Sequence, residues 1–387
     1  MSEAIATTKT SYPILPRCRN YRIDDVCSIV KGLSPTLKTE PGKYPLVVTA
    51  EYRRSASTYQ LEGPAVCVPL VSSTGHGDAA LHRVHYQEGK FALANLLVAL
   101  LPKDREVCHG KYLYYLLNTK KDEYFVPLMR GTSNVSLKER EIASVEIPLP
   151  PIAEQRRIVV RVEELAGKVE EARGLRSRVD EECKTLCRSI IFNNLDSDLP
   201  KTAMSELVRL RNADVTVELD KTYHFAGVYS FGRGVFVGNR LSGMEFSYKT
   251  LTRLRTGDFV YPKLMAWEGA LGIVPPECDN LVVSPEFPVF EVDQNRVLPE
   301  MLDVYFRTPS VWATLGEIST GTNVRRRRIH PSNFLQFKIP LPSMETQRKL
   351  REVKRQVDTI QKLHSQTEAE LNALLPSILD KAFKGEL

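Results

Sequence analysis

"VEIPLPPIAEQRRI" runs from Val145 to Ile158, and "FKIPLPSMETQRKL" runs from Phe337 to Leu350. The likeness reaches upstream of both. "GTSNV" (131–135) precedes the first phrase and "GTNV" (321–324) the second. Earlier still, "YLYYLLNTKKDEYF" (112–125) lines up with "MLDVYFRTPSVWATL" (301–315), and "IDDVCSIVKG" from Ile23 echoes "MSELVRLRNA" from Met204. Features recurring in one order mark an internal duplication rather than chance repetition of proline-rich turns.

Proline can open a helix but not continue one, so "PLPP" and "PLPS" mark helix starts. After Pro151, apolar residues fall at Ile158, Val162, Leu165, Val169, Ala172, Val179, Cys183, Leu186 and Ile190, interrupted at Arg176. Steps of four and three are the heptad pattern of a coiled-coil seam. The second stripe runs Leu350, Val353, Val357, Ile360, then polar His364 and Thr367, then Leu371, Leu374 and Ile378. A helix of about 43 residues would be about 65 Å long. Two such stripes in one chain most simply cover each other. Antiparallel packing would set Arg176 near His364, Thr367 and Glu368, either as a solvated break or as a polar layer that fixes register.

The segments before each helix read differently. "YPLVVTA", "PAVCVPLV", "KFALANLLVALL", "HFAGVYSF", "DFVYPKLM", "ALGIVP" and "FPVFEV" are short apolar or alternating runs punctuated by Gly, Pro and Ser. They read as strands joined by turns. One helix is expected in each body, around Lys111–Leu117 and around Pro299–Phe306. The fold class is therefore mixed α/β (α+β) with an internal repeat. The predicted segments are a first body at 1–151, a long helix at 152–196, a second body at 197–342 and a second long helix at 343–387.

The bulk numbers agree with a two-bodied globular chain. Its 387 residues exceed one ordinary core. Apolar residues make up 42% and charged residues 26%, the balance of a globular protein. There is no apolar run of membrane-spanning length, and the N-terminus lacks a signal peptide pattern. Seven cysteines without a CxxC pair suggest a reducing, cytoplasmic setting. The net charge is +6. Residues 195–342 hold 17 basic against 17 acidic side chains, and 1–151 hold 19 against 15. Any polyanion must therefore meet local patches.

Catalytic signatures are missing from the sequence. It has no GxxxxGK[ST] phosphate loop, no strand–glycine loop–helix unit and no NPPY- or DPPY-type tetrapeptide. His76, His82 and His85 near Cys67 do not have zinc-site spacing. Cys183 and Cys187, one turn apart, suit helix packing.

"IPLPPIAEQRRIVVRVEEL", "IPLPSMETQRKLREV" and the terminal "LLPSILDKAFKGEL" (374–387) strongly resemble the conserved regions of type I restriction–modification specificity subunits. The resemblance covers the whole chain, with small departures at Thr346 for Glu154 and Ser343 for Pro151. It implies two target recognition domains spaced by an antiparallel coiled coil. It also implies two methyltransferase subunits docked on the helices, and restriction subunits that complete an ATP-driven nuclease. S-adenosylmethionine, Mg and ATP would then belong to the partners, with no cofactor, metal or catalytic residue expected in this chain. Double-stranded DNA would be the ligand. Because the two bodies share a frame but little else, the target should be split and asymmetric. The rival reading is a coiled-coil scaffold that binds only proteins.

"TNVRRRRIH" places Thr322, Asn323 and Arg325, Arg326, Arg327 and Arg328 in a body of zero net charge, which leaves one positive spot suited to phosphate or groove contact. The matching loop of the first body offers Ser133, Asn134 and Lys138. Polar or aromatic turns between strands add Arg53, Arg54, Ser73, Thr74, His76, Arg233, Lys263 and Trp267, the last equally suited to a core.

Overall fold

The computed structural model describes residues 18–74, 78–132, 135–193, 201–321 and 327–387. The chain divides into two compact units, one of residues 1–174 and 367–387, the other of residues 175–366.

The first unit begins with β1 (Arg19–Arg22), one helical turn α1 (Ile23–Val26) and β2 (Cys27–Lys31). There follow β3 (Tyr44–Val47), β4 (Arg54–Ala56), β5 (Leu61–Pro69), β6 (His85–Leu93) and β7 (Leu97–Pro102). These form a six-stranded sheet in the order β2-β7-β5-β6-β3-β4, antiparallel except at β3–β6. Successive side chains on a strand point to opposite faces, and the sheet is apolar on both. Val66, Val68, Val98 and Leu100 belong to one buried cluster, whereas Ala65, Cys67, Leu97 and Ala99 belong to another. Helices α2 (Gly110–Thr119), α3 (Lys121–Tyr124) and α4 (Glu139–Ala143) lead to β8 (Glu146–Leu149) and α5 (Ile152–Phe192). Tyr112, Leu113 and Leu116 of α2 bury against Ile158, Val159 and Val162 of α5.

The second unit holds β9 (Lys201–Ala203), β10 (Val208–Leu210), β11 (Val215–Thr216), β12 (Thr222–Tyr229), β13 (Gly234–Ser242), β14 (Thr250–Arg253), β15 (Phe259–Val260), β16 (Gly272–Ile273), β17 (Val282–Val283) and β18 (Val289–Val292). They make sheets in the orders β10-β18-β15-β16 and β11-β14-β17-β12-β13. Helices α6 (Pro299–Phe306), α7 (Pro309–Glu317) and α8 (Pro331–Gln336), then β19 (Lys338–Pro340) and α9 (Met344–Gln366), complete the unit. Its core is a run of rings in which Phe334 stacks on Phe259 at 5.3 Å and meets Tyr261, Phe290 and Phe306. Cys187, Ile190 and Ile191 of α5, with Leu350 and Val357 of α9, close over this cluster.

The repeated phrase makes the same bonds in both units. β8 pairs antiparallel with β1, and β19 with β9. The carbonyl just before each strand accepts from the start of the body: Ile23 N–H to Val145 O at 2.9 Å, Met204 N–H to Phe337 O at 2.9 Å. The glutamine of each phrase is buried, Gln155 at 0% exposure and Gln347 at 1%. Gln155 Oε1 accepts from His109 N–H, the N-cap of α2, at 2.9 Å. Its Nε2 donates to Val107 O and Pro150 O at 2.9 and 2.8 Å. Gln347 Oε1 accepts from Leu298 N–H, the N-cap of α6, at 2.8 Å, and Nε2 donates to Pro342 O at 2.9 Å. One amide thus ties the body helix to the proline turn that launches the long helix.

The second long helix departs from expectation. An uninterrupted element over 343–387 is replaced by α9 and α10 (Glu368–Lys384), divided at Thr367, whose φ and ψ are −97° and 5°. A β-branched residue is a weak helix former, and Leu371 N–H still donates to Thr367 O at 3.0 Å, so the interruption is local. Pro376 lies inside α10, at the loss of one backbone bond. In the first unit α5 and α10 run antiparallel, with Arg157 Nη2 donating to Leu387 O at 2.8 Å and Arg173 Nη2 to Asn372 Oδ1 at 3.2 Å. In the second, His364 Nδ1 lies 3.1 Å from Asp180 Oδ1, and Arg176 Nη1 donates to the His364 carbonyl at 3.5 Å. Among the described residues no helix is long and apolar enough to cross a membrane.

Replacing Gln155 by Leu removes the partner of three backbone groups, the buried Pro150 carbonyl and the half-buried His109 N–H and Val107 carbonyl. At about 1–3 kcal/mol for each orphaned group, less local relaxation, the first unit should lose about 3 kcal/mol. Urea denaturation followed by circular dichroism reads this, with Gln347→Leu producing the corresponding loss in the second unit. Unchanged midpoints in both variants would refute the role of the amide.

A second expectation concerns His85, which is buried on β6 beside Arg53. Burial, followed by the neighbouring Arg53 charge, pushes its pKa down from 6.5 to about 4. The folded state therefore keeps the ring neutral while the unfolded chain protonates near 6.5. Stability is present above that pH and is lost as pH falls from 6.5 toward 4. His85→Gln should flatten the stability–pH curve between pH 6.5 and 5, and an equally steep curve would show that the histidine is not its source.

Candidate nucleic-acid interface

In the second unit, chain segments far apart in sequence converge on the turn after β15. Met265 adopts a left-handed conformation at φ 69°, a single 3-10 turn spans Ala266–Glu268, and Gly269 follows at φ 78°. One end of this turn holds the arginine segment. Lys263 O accepts from Ile329 N–H at 2.9 Å, and Leu264 forms an isolated antiparallel bridge with Arg328. The other end holds the β12–β13 turn, where Phe231 N–H donates to Glu268 O at 2.9 Å and Gly232 N–H to Gly269 O at 3.0 Å. Lys263, Trp267, Arg233, Arg327 and Arg328 are thereby carried on adjoining segments.

Their side chains differ in availability. Arg328 Nη1 donates to Glu286 Oε2 at 2.6 Å, in a pair left about two-fifths exposed, 43% and 40%. Water screens such a pair, so it does not bind the arginine tightly. Arg233 is exposed, lies 4.5 Å above the Tyr229 ring and donates from Nε to Ser230 O at 3.2 Å. Lys263 is half-buried. Trp267 packs half-buried against the aromatic core, and its Nε1 has no hydrogen-bond partner among the described residues. Thr322, Asn323, Arg325 and Arg326 lie outside the described residues.

The first unit builds a related frame. Ser136 bridges both Val71 and Arg130, just as Arg328 bridges both Leu264 and Thr320. The bridges Arg130–Ser136 and Thr320–Arg328 thus stand at corresponding places in the two units, each next to a bridge to a second segment, Val71–Ser136 and Leu264–Arg328. That second segment in the first unit carries Ser73 and Thr74. Ser73 Oγ accepts from His82 N–H at 3.0 Å, Thr74 Oγ1 donates to Asp78 O at 3.0 Å, and Ser72 N–H donates to Val135 O at 3.0 Å. Lys138, exposed, caps α4 one residue beyond Leu137. Ser133, Asn134 and His76 lie outside the described residues.

Arg53 and Arg54 stand apart from this loop frame. Arg53 donates to Gln87 Oε1 and Tyr86 O at 3.1 Å each and lies against His85 Nδ1, so its guanidinium braces β6. Burial lowers its pKa. Arg54 Nη1 donates to Thr36 O at 2.8 Å. Of the residues expected to set register, Arg176 and His364 meet in the second unit, whereas Thr367 and Glu368 mark the start of α10 in the first. Sequence reasoning missed Tyr229, Phe231 and Arg307 beside the Arg233 turn; the only signal was the "FGRG" turn between aromatic runs. Among the described residues no group of three or more His, Cys, Asp or Glu side chains could hold a metal ion.

Residues 18–177 match the family described as the type I restriction modification DNA specificity domain. The chain is similar to the type I restriction enzyme EcoBI specificity subunit of Escherichia coli, at 22% identity over 344 residues covering 76% of this chain and 69% of that one. It is similar also to the EcoKI specificity subunit of Escherichia coli strain K12, at 22% identity over 287 residues covering 67% and 61%. Its fold resembles a structure solved in work on complex assembly and conformational transition of the type I R-M system, with TM-score 0.64, 19% identity and coverage of 97% of this chain and 100% of that one. The HsdS subunit from Thermoanaerobacter tengcongensis matches with TM-score 0.50, 20% identity and coverage of 98% and 100%. Residues 18–177 thus match the type I restriction modification DNA specificity domain, and over most of its length the chain is similar to specificity subunits of type I restriction enzymes.

Proposed function

We propose that this chain is the non-catalytic DNA sequence-recognition subunit of a type I restriction–modification complex. Each body reads one half of a split, asymmetric target. The observation that carries the proposal is the twice-built bridge pair: Ser136 bridges Val71 and Arg130 as Arg328 bridges Leu264 and Thr320, and the sequences around the two pairs differ. One scaffold presenting two different residue sets is what an asymmetric bipartite target requires. Arg325 to Arg328, Lys263 and Arg233 are the contacts assigned to the second half-site; Lys138, Ser133, Asn134, Ser73 and Thr74 are those assigned to the first.

The long helices act in this reading as an antiparallel coiled coil that spaces the two readers and docks two methyltransferase subunits. At 1.5 Å per residue, the 41 residues of α5 amount to about 60 Å, or roughly two turns of duplex. Arg176, His364, Thr367 and Glu368 are assigned to setting register. Restriction subunits, S-adenosylmethionine, Mg and ATP are brought by partners or bound by them, in the cytoplasm.

Neutralising Arg325–Arg328 to glutamine in the complex reconstituted with its methyltransferase subunits should weaken DNA binding at least tenfold and flatten its salt dependence by up to about four in log–log slope. Wild-type selectivity in that variant would remove these arginines from the site. Complete absence of selective DNA binding by the unaltered complex would favour a purely protein-binding scaffold. Mapping methylated adenines in the host genome should reveal two unlike half-sites separated by unread bases, and a continuous or palindromic motif would contradict the two-reader arrangement.

A further inference from the structure

Phe231 occupies an unusual position. Its backbone is left-handed at φ 62°, a conformation that residues with a large side chain seldom adopt. The residue is nevertheless 63% exposed, so burial does little to offset the conformation. The turn is built to hold it there. Phe231 and Gly232 are bonded to the Glu268–Gly269 turn, and two glycines permit close seating below. A Cβ on Gly234 would lie 2.5 Å from Arg307 Nη2, and one on Gly269 would lie 2.4 Å from Trp312 Cε2. Trp312 is itself fixed, donating from Nε1 to Phe306 O at 2.8 Å. Its ring centre lies 6.3 Å from that of Phe231. Beside the tip, Tyr229 stacks on Phe236 at 3.8 Å and carries Arg233 on its face.

The surroundings are cationic. Phe231 lines a recess with Lys184, Arg188, Arg233, Arg307, Lys354 and Asp303; Lys184 also pairs with Glu181 and Lys354 with Asp358, which leaves five cations to three carboxylates. Asp303 bonds Arg307 at 2.7 Å and lies 3.8 Å from Lys354. A protein partner's apolar anchor would be met by an interface core depleted of charge. One rigid ring ringed by guanidinium and ammonium groups suits a polyanion whose interior is a stack of flat rings.

We propose that Phe231 is an apolar wedge that enters the bound duplex and loosens one base step, while Arg233 and the neighbouring cations hold the flanking phosphates. The proposal rests on the DNA-reading function above and adds to it a residue that reads deformability instead of base edges.

The test uses the full chain assembled with its methyltransferase subunits and a duplex carrying its recognised sequence, with 2-aminopurine placed at successive positions. Binding of the unaltered complex should raise fluorescence at one step of the second half-site. Phe231→Asn removes the ring but accepts the left-handed backbone, so the turn should persist, with an unchanged melting temperature as the check. That variant should lose the fluorescence rise and bind about tenfold more weakly, and Phe231→Tyr should restore both. Selective binding by the unaltered complex with no fluorescence rise at any position would overturn the wedge and leave the DNA-reading function standing. So would a Phe231→Asn variant that weakens assembly with the methyltransferase while the assembled complex binds DNA normally, since the ring would then be a protein anchor. Loss of all sequence-selective binding in the unaltered complex would overturn both.

Discussion

The side-chain amide of one buried glutamine organises each unit. A glutamine with no exposure keeps its place only if its polar atoms find partners, because an unpaired buried amide is costly. Gln155 meets this requirement by accepting from the N-cap of α2 and donating to the carbonyl of Pro150, and Gln347 does the same at α6 and Pro342. Each amide therefore fixes the angle between a body helix and the start of a long helix. A helix N-terminus has unsatisfied N–H groups, and here the partner comes from a residue far along the chain. The short strands β8 and β19 add a second tie, pairing the end of each body with its beginning. A body closed in this way can vary its loops without disturbing where the helix leaves.

The two bodies meet the same demand with different interiors. The first uses aliphatic residues on both faces of a six-stranded sheet, so the second half of β5 and most of β7 read as continuous apolar runs. The second replaces the broad sheet by short strands around a ring cluster centred on Phe334, where aromatic volume compensates for strand length. A buried Arg211–Asp258 pair, with the guanidinium also bonded to the Arg253 carbonyl, joins strands in this second body. The frame is shared and the filling is not.

The elements legible in the sequence were those with a strong local signal. α2, α5 and α6 announced themselves by proline, periodicity and length, and the hydrophobic runs marked most strands. The part played by β1 and β9 was not legible, because four- and three-residue strands have no periodicity of their own. Their pairing depends on residues more than a hundred positions away. Among the candidate contacts, arginine content alone could not separate Arg53 from Arg233. Both sit in polar turns, yet one guanidinium braces β6 and the other lies exposed on a tyrosine ring. Phe231 was hidden for a similar reason: an aromatic residue between strands reads as core until its exposure and backbone angle are known.

The sequence by itself determined the recurrence of the phrase, the places where the long helices begin and the mixed α/β character. These follow from order, proline chemistry and side-chain periodicity, which act over a few residues and survive in any copy of the phrase. Tertiary structure decided which loops lie together and which cations stay exposed. The bridges that join Lys263's loop to Arg328, and Val71 to Ser136, are backbone bonds across long stretches of chain. No local rule selects such partners, because their free energy appears only once the core has brought the two backbones within hydrogen-bonding distance.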